Sequence, residues 1–176
     1  MQIKGVAEIY SGSVVNKNKA FEVAASNCFV ESYNKAHGTH FEIKEYPDRP
    51  DLLIGDSSTG EMMGVEVTHL FYDQKEPQML LGKVPLDPQS DNEKFFYVLA
   101  GKLNALLGKK VEVAFKYNFC GKLFLLICVA CPAFNKSHFE MYPDWIDLNL
   151  GNPFAEVWLL FYNESTEAYS DLLQIQ

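Results

Sequence analysis

The chain has 176 residues, a hydrophobic fraction of 48%, an aromatic fraction of 14% and a formal net charge of −8. That length suits one domain with a core of its own, and the aromatic content excludes a disordered chain. The longest apolar run, 123–131, stops at Pro132 and falls short of the roughly 20 residues that a membrane-spanning helix needs.

Lys4 and Glu8 interrupt the opening segment, which therefore reads as no signal peptide and sets a cytoplasmic location as the expectation. Residues 17–36 follow with Phe21, Ala24, Ala25, Cys28, Phe29, Ser32 and Ala36 at helical spacing, and Gly38 stands as a stop. In 39–46, Phe41, Ile43 and Glu45 alternate with His40, Glu42 and Lys44, the period of a strand. Asp51–Gly55 is a short buried strand, 57–60 is a turn cluster of Ser, Ser, Thr and Gly, and Met62–Leu70 is a further strand. Together they predict a three-strand meander. Residues 71–88 carry three prolines and read as a loop. Ser90 and Glu93 form a capping box for a helix that is expected to end near Leu107, with Gly108 as its stop. Lys122–Cys131 and Ala155–Tyr162 are apolar runs suited to strands buried on both faces. The prediction is one α/β domain over 1–176, its core about 17–163, with a mixed sheet in the order αβββαβ plus a C-terminal strand.

Charge is unevenly spread. Residues 137–176 contain seven acids and no Lys or Arg. Within 94–122, by contrast, Lys94, Lys102, Lys109, Lys110, Lys116 and Lys122 are opposed only by Glu112. A basic stretch thus lies inside an acidic protein, fit either for a solvated surface or for a polyanion.

The sharpest chemical signal is Pro50-Asp51 at the head of one strand and Glu66-Val67-Thr68 inside the next. A short hairpin can bring the two carboxylates side by side, a hard-oxygen arrangement suited to Mg²⁺. Glu66 and Thr68 share one face of their strand, while Val65 and Val67 take the other. Acids are depleted in strands, so an acid alternating with valines marks a placed residue.

On these residues and this element order, the chain resembles the PD-(D/E)xK, or restriction-endonuclease-like, nuclease superfamily over about 17–163. The resemblance implies a nuclease whose Asp51 and Glu66 hold Mg²⁺ or Mn²⁺, with Glu22 on the first helix completing the site and the Val67 carbonyl as a further ligand. The superfamily commonly carries a lysine two residues after the second acid; here that residue is Thr68. Threonine supplies no positive charge to a developing anion. Some relatives carry the lysine on the following helix. With Phe95 as zero and about 100° per residue, Lys102 falls near −20°, between Val98 and Leu106 on the apolar stripe. Lys102 is thus expected either in the pocket, beside the two acids, or snorkelling at the core edge.

Other signals are weaker. Glu31 flanks the first helix on the side opposite Glu22 and reads as solvated. Pro143-Asp144 with Glu156-Val157-Trp158 repeats the motif, but without a clean strand after Asp144. Cys128 and Cys131 are three apart in a strand and face opposite ways, so they do not chelate one ion. With Cys28 and Cys120 they read as buried thiols. His69 should face away from Glu66.

The expected activity is Mg²⁺-dependent hydrolysis of a phosphodiester, DNA favoured, by Asp51, Glu66, Thr68 and Lys102. The backbone of the substrate would meet Lys94, Lys102, Lys109, Lys110, Lys116 and Lys122. A homodimer suits an enzyme that cuts two strands. The alternative is an inactive relative that binds nucleic acid, or a protein partner at the acidic C-terminal quarter.

Overall fold

Helix α1 (Val14–His37) presents Ala25, Phe29, Val30 and Tyr33 to the core. It belongs to a computed structural model that describes residues 14–72, 93–131, 133–148, 151–163, 165–166 and 168–176, the side chains of 14–20 excepted. Gly38 ends α1 at φ 64°, and the Thr39 N–H donates to the Asn34 carbonyl at 3.2 Å. This is the six-to-one bond of a Schellman cap, for which glycine is the natural left-handed residue. The Asn34 side chain then bonds both the N–H and the carbonyl of Phe41, each at 2.8 Å. The helix end and the first strand are thereby tied together.

Six strands form one sheet in chain order: β1 (Phe41–Glu45), β2 (Leu52–Asp56), β3 (Met62–Leu70), β4 (Lys122–Val129), β5 (Glu156–Asn163) and β6 (Ala168–Gln174). Pairs β1–β2, β2–β3 and β5–β6 are antiparallel, whereas β3–β4 and β4–β5 are parallel. The expected meander is present. The parallel step from β3 to β4 spans α2 (Glu93–Ala114), and a short helix α3 (Lys136–Met141) precedes a 3₁₀ turn at Pro143–Trp145. The mixed α/β class stands, with six strands where five were expected. Strand β6 escapes sequence reading because its residues are all exposed or half-buried, so no clean alternation marks it.

Each face of the sheet has its own core. On one, Ala25, Phe29 and Tyr33 of α1 meet Leu52, Ile54, Val65, Val67 and Leu126. On the other, Phe96, Leu99, Leu103 and Leu107 of α2 meet Leu70, Leu125, Ile127 and Leu159. Strand β4 is buried on both faces along all but its first residue, as its unbroken apolar run requires.

The second helix corrects an expectation. It does not stop at Gly108 but runs on to Ala114, which is buried. A glycine inside a helix costs about 1 kcal/mol. Burial of Leu107 and Ala114 on the sheet side, with the ion pair described below, outweighs it. Ser90 and most of the 71–88 loop lie outside the described residues.

One glycine bears on the site. A Cβ on Gly64 would lie 2.7 Å from Cγ of Pro50 and 3.1 Å from Leu123 and Phe119 side-chain carbons. Its bare backbone lets Pro50, whose peptide bond to Arg49 is cis, pack directly on β3. That contact sets where the next residue, Asp51, begins.

Candidate active site

Register creates the central pair. Leu52 lies opposite Val65 and Leu53 opposite Gly64. The ladder ends there, with Asp51 one residue before Leu52 and Glu66 one residue after Val65, near enough that the Glu66 charge acts on the Asp51 carboxyl. Strand β2 begins at Leu52, while β3 continues to Leu70, so the upper half of β3 has no β2 partner on that edge. Asp51 Oδ2 takes over there, accepting the Val67 N–H at 2.7 Å. The Leu70 carbonyl accepts from Ala130 N–H on the β4 side. Backbone direction alternates along a strand, so the N–H and carbonyl of Val67 both face the Asp51 edge.

Burial raises the Asp51 carboxyl to about 6, and the negative charges of Glu66 and Glu22 add to the rise. The Val67 hydrogen bond and the charge of Lys110 act against it. A carboxyl held near neutrality's edge by its surroundings is a frequent mark of a working site.

Glu66 is 6% exposed. Its Oε1 receives the Lys110 ammonium at 2.7 Å. The Tyr117 hydroxyl also hydrogen-bonds to Glu66, and burial and that bond together push the phenol well above its ordinary value. A buried carboxylate needs such partners, because desolvation alone would cost several kcal/mol. Over the ring of Tyr117 lies the Arg49 guanidinium, 6.0 Å from the centroid. Beyond Asp51, on the α1 side, opens a cleft of about 180 Å³ lined by Glu22, Ser26, Tyr46, Asp48, Asp51 and Val67, among others.

The structure therefore brings together Asp51, Glu66 and the Val67 backbone, with Glu22 at the adjoining cleft. Thr68 is half-buried and follows Glu66 on the same face by alternation. Lys102 goes elsewhere. It is exposed, its ammonium donates to the Tyr72 carbonyl and lies 5.4 Å from the Tyr72 ring centroid. No ion pair joins it to Asp51 or Glu66 among the described residues. The reason is the position of the buried stripe. Residues Phe96, Leu99, Ala100, Leu103, Leu107 and Ala114 centre it near 95° on the wheel used above, which puts Lys102 more than about 100° away and Lys110 only about 35° away. Lys110 is the lysine that the core face of the helix carries to the acids. Ending the helix at Gly108 hid it. Tyr117 and Arg49 were also missed as site residues; proximity to Glu66 in space, not in sequence, brings Tyr117 there.

The other candidates separate from this centre. Glu31 is exposed, as read. Asp144 is exposed on the 3₁₀ turn, while Glu156 accepts the Trp158 indole N–H at 2.8 Å. Cys128 and Cys131 are buried, but Cys28 is half-buried and Cys120 exposed, contrary to expectation. His69 is half-buried, and burial with the nearby charge of Lys110 pushes its imidazole down to about 4. Of the basic stretch, Lys110 pairs with Glu66 and Lys122 with Glu61, leaving Lys94, Lys102, Lys109 and Lys116 exposed at the surface.

Among the described residues, no group of three or more His, Cys, Asp or Glu side chains is arranged to hold a metal ion. Mg²⁺ asks for less: one or two carboxylates, with water and phosphate oxygens filling the rest of the shell. Asp51 and Glu66, near enough to interact electrostatically at an edge where the Val67 carbonyl is also presented, fit that demand. No family model, curated protein or solved structure matches the chain.

Proposed function

We propose that the protein is a metal-dependent phosphodiester hydrolase acting on nucleic acid, DNA in the first place, with the strand and helix order of a restriction-endonuclease-like fold. The observation that carries the reading is the Lys110–Glu66 ion pair of 2.7 Å beside Asp51. It supplies the cation that Thr68 does not.

Asp51 and Glu66 would hold Mg²⁺ or Mn²⁺, with the Val67 carbonyl and Glu22 as auxiliary ligands. The bound ion would supply a lowered water pKa and charge for the phosphate oxygens. The Lys110 ammonium lies against Glu66, and its charge favours negative build-up on the phosphoryl oxygens. Tyr117 fixes the Glu66 carboxylate through its hydroxyl. The exposed lysines of α2 and the segment after it offer contacts to a phosphate backbone.

The test is cleavage of single- and double-stranded DNA in Mn²⁺ and Mg²⁺ by wild type, Asp51→Asn, Glu66→Gln and Lys110→Met. Loss in all three variants, with folding retained by circular dichroism, supports the reading. Cleavage at wild-type rate by any of them refutes it. A second reading, an inactive relative that binds nucleic acid or a protein, is favoured by one observation: Glu66 is already engaged by Lys110 and Tyr117. Absence of cleavage by wild type across both metals and both substrates selects it.

A further inference from the structure

Arg49 is the chain's one arginine. It stands two residues before Asp51, joined to it by Pro50, which packs on Gly64 of β3. Its guanidinium lies over Tyr117, whose hydroxyl is bonded to Glu66. Among the described residues it forms no ion pair, although Asp48 adjoins it in sequence. Lys110, the other cation of the site, is committed to Glu66. Among the described residues, Arg49 is thus a positive charge near the two carboxylates that no acid has taken.

We infer that Arg49 is the substrate-positioning residue of this site, holding the non-bridging oxygens of the phosphodiester; the assignment rests on the hydrolase reading above. A guanidinium presents paired N–H donors in a fixed plane that matches phosphate geometry, which an ammonium does not. The guanidinium carbon lies 6.0 Å from the centroid of the Tyr117 ring, within cation–π reach, so less freedom is lost when an anion arrives. The site is also one-sided. Glu22, Asp48 and Asp51 line the cleft toward α1, while Arg49, Tyr117 and Lys110 lie toward α2.

Two readouts test the assignment. One is hydrolysis of bis(p-nitrophenyl) phosphate in Mn²⁺, a diester with a single phosphate. The other is fluorescence anisotropy of a labelled DNA oligonucleotide in Ca²⁺, which needs no cleavage. Arg49→Met is expected to raise KM for the diester roughly tenfold, with kcat within about threefold of wild type. It should weaken DNA binding by a similar factor. Arg49→Lys, which keeps the charge, should recover part of each loss. Unchanged KM and unchanged DNA affinity in Arg49→Met overturn the assignment, even if wild type is an active hydrolase. Equal losses in the Lys and Met variants also overturn it, because they mark damage to the local fold. If wild type cleaves nothing while Arg49→Met still weakens DNA binding, the hydrolase reading falls and Arg49 stands as a phosphate ligand.

Discussion

Asp51→Asn should make the folded protein more stable at pH 7 while removing a metal ligand. The Asp51 carboxyl rises from an ordinary 3.8 to about 6, chiefly because burial penalises its charge. A difference of that size corresponds to about 3 kcal/mol at roughly 1.4 kcal/mol per pH unit. Asp51 is only partly buried, and solvent screening reduces the figure to about 1.5 kcal/mol. Between pH 4 and 6 the native state retains a proton that the unfolded chain has released, so this group's contribution falls as pH rises through that window. Asparagine carries no such charge. Its carbonyl can still accept the Val67 N–H, with the loss of about 0.5 kcal/mol of charge assistance. The net expectation is a gain of about 1 kcal/mol at pH 7, or roughly 2–4 °C in Tm for a domain of this size. At pH 4 the variant should show no gain. Urea unfolding of both proteins from pH 4 to pH 8 measures this, and other titrating groups cancel in the difference. A difference that stays constant over the whole range, or that turns against the variant as pH rises, would refute the reasoning. The gain should shrink in millimolar Mg²⁺, because a cation stabilises the ionised carboxylate that asparagine lacks.

Lys110→Met leaves the buried Glu66 carboxylate without its cation and should cost about 2 kcal/mol, less than a fully buried pair because the Lys110 side chain keeps some exposure. Combined with Glu66→Gln, the two changes should couple by at least about 1 kcal/mol in urea unfolding; additivity within about 0.5 kcal/mol would mean that the pair is not formed. Lys102→Met serves as the surface control and should stay within about 0.5 kcal/mol of wild type. His69, held down to about 4 by burial and by Lys110, should keep a flat imidazole proton shift from pH 5 to pH 8. Its depressed value means that its stabilising effect is lost as pH falls from about 6.5 toward 4. An NMR midpoint near 6.5 would contradict the described surroundings.

Much of the fold and part of the site are legible in the sequence. The α1 stripe, the meander and the doubly buried β4 follow from periods of 3.6 and 2, which sequence displays directly. The proximity of Asp51 and Glu66 follows from a hairpin short enough to fix its own register. Lys110 was legible in principle: counted along an unbroken helix, it falls beside Leu103 and Leu107. It was lost because Gly108 is a local signal, and tertiary burial of Ala114 overrides it. Tyr117 and Arg49 belong to segments without period, brought to the site by the end of α2 and by the packing of Pro50 on Gly64. Such meetings have no signature in a window of neighbouring residues. Strand β6 was missed for a related reason, since a strand exposed along its length carries no hydrophobic rhythm.

The hydrogen bond from Val67 to Asp51 has a consequence for observation. Most amides in a sheet interior are shielded by another backbone, whose acceptor never changes charge. The Val67 amide is shielded by a side chain whose ionisation changes near pH 6. Its proton is therefore wired to the electrical state of the site, and its chemical shift and exchange rate vary as Asp51 gains or loses charge. The gap where β2 stops short of β3 thus places a natural probe inside the backbone, one that reads the acid without any label.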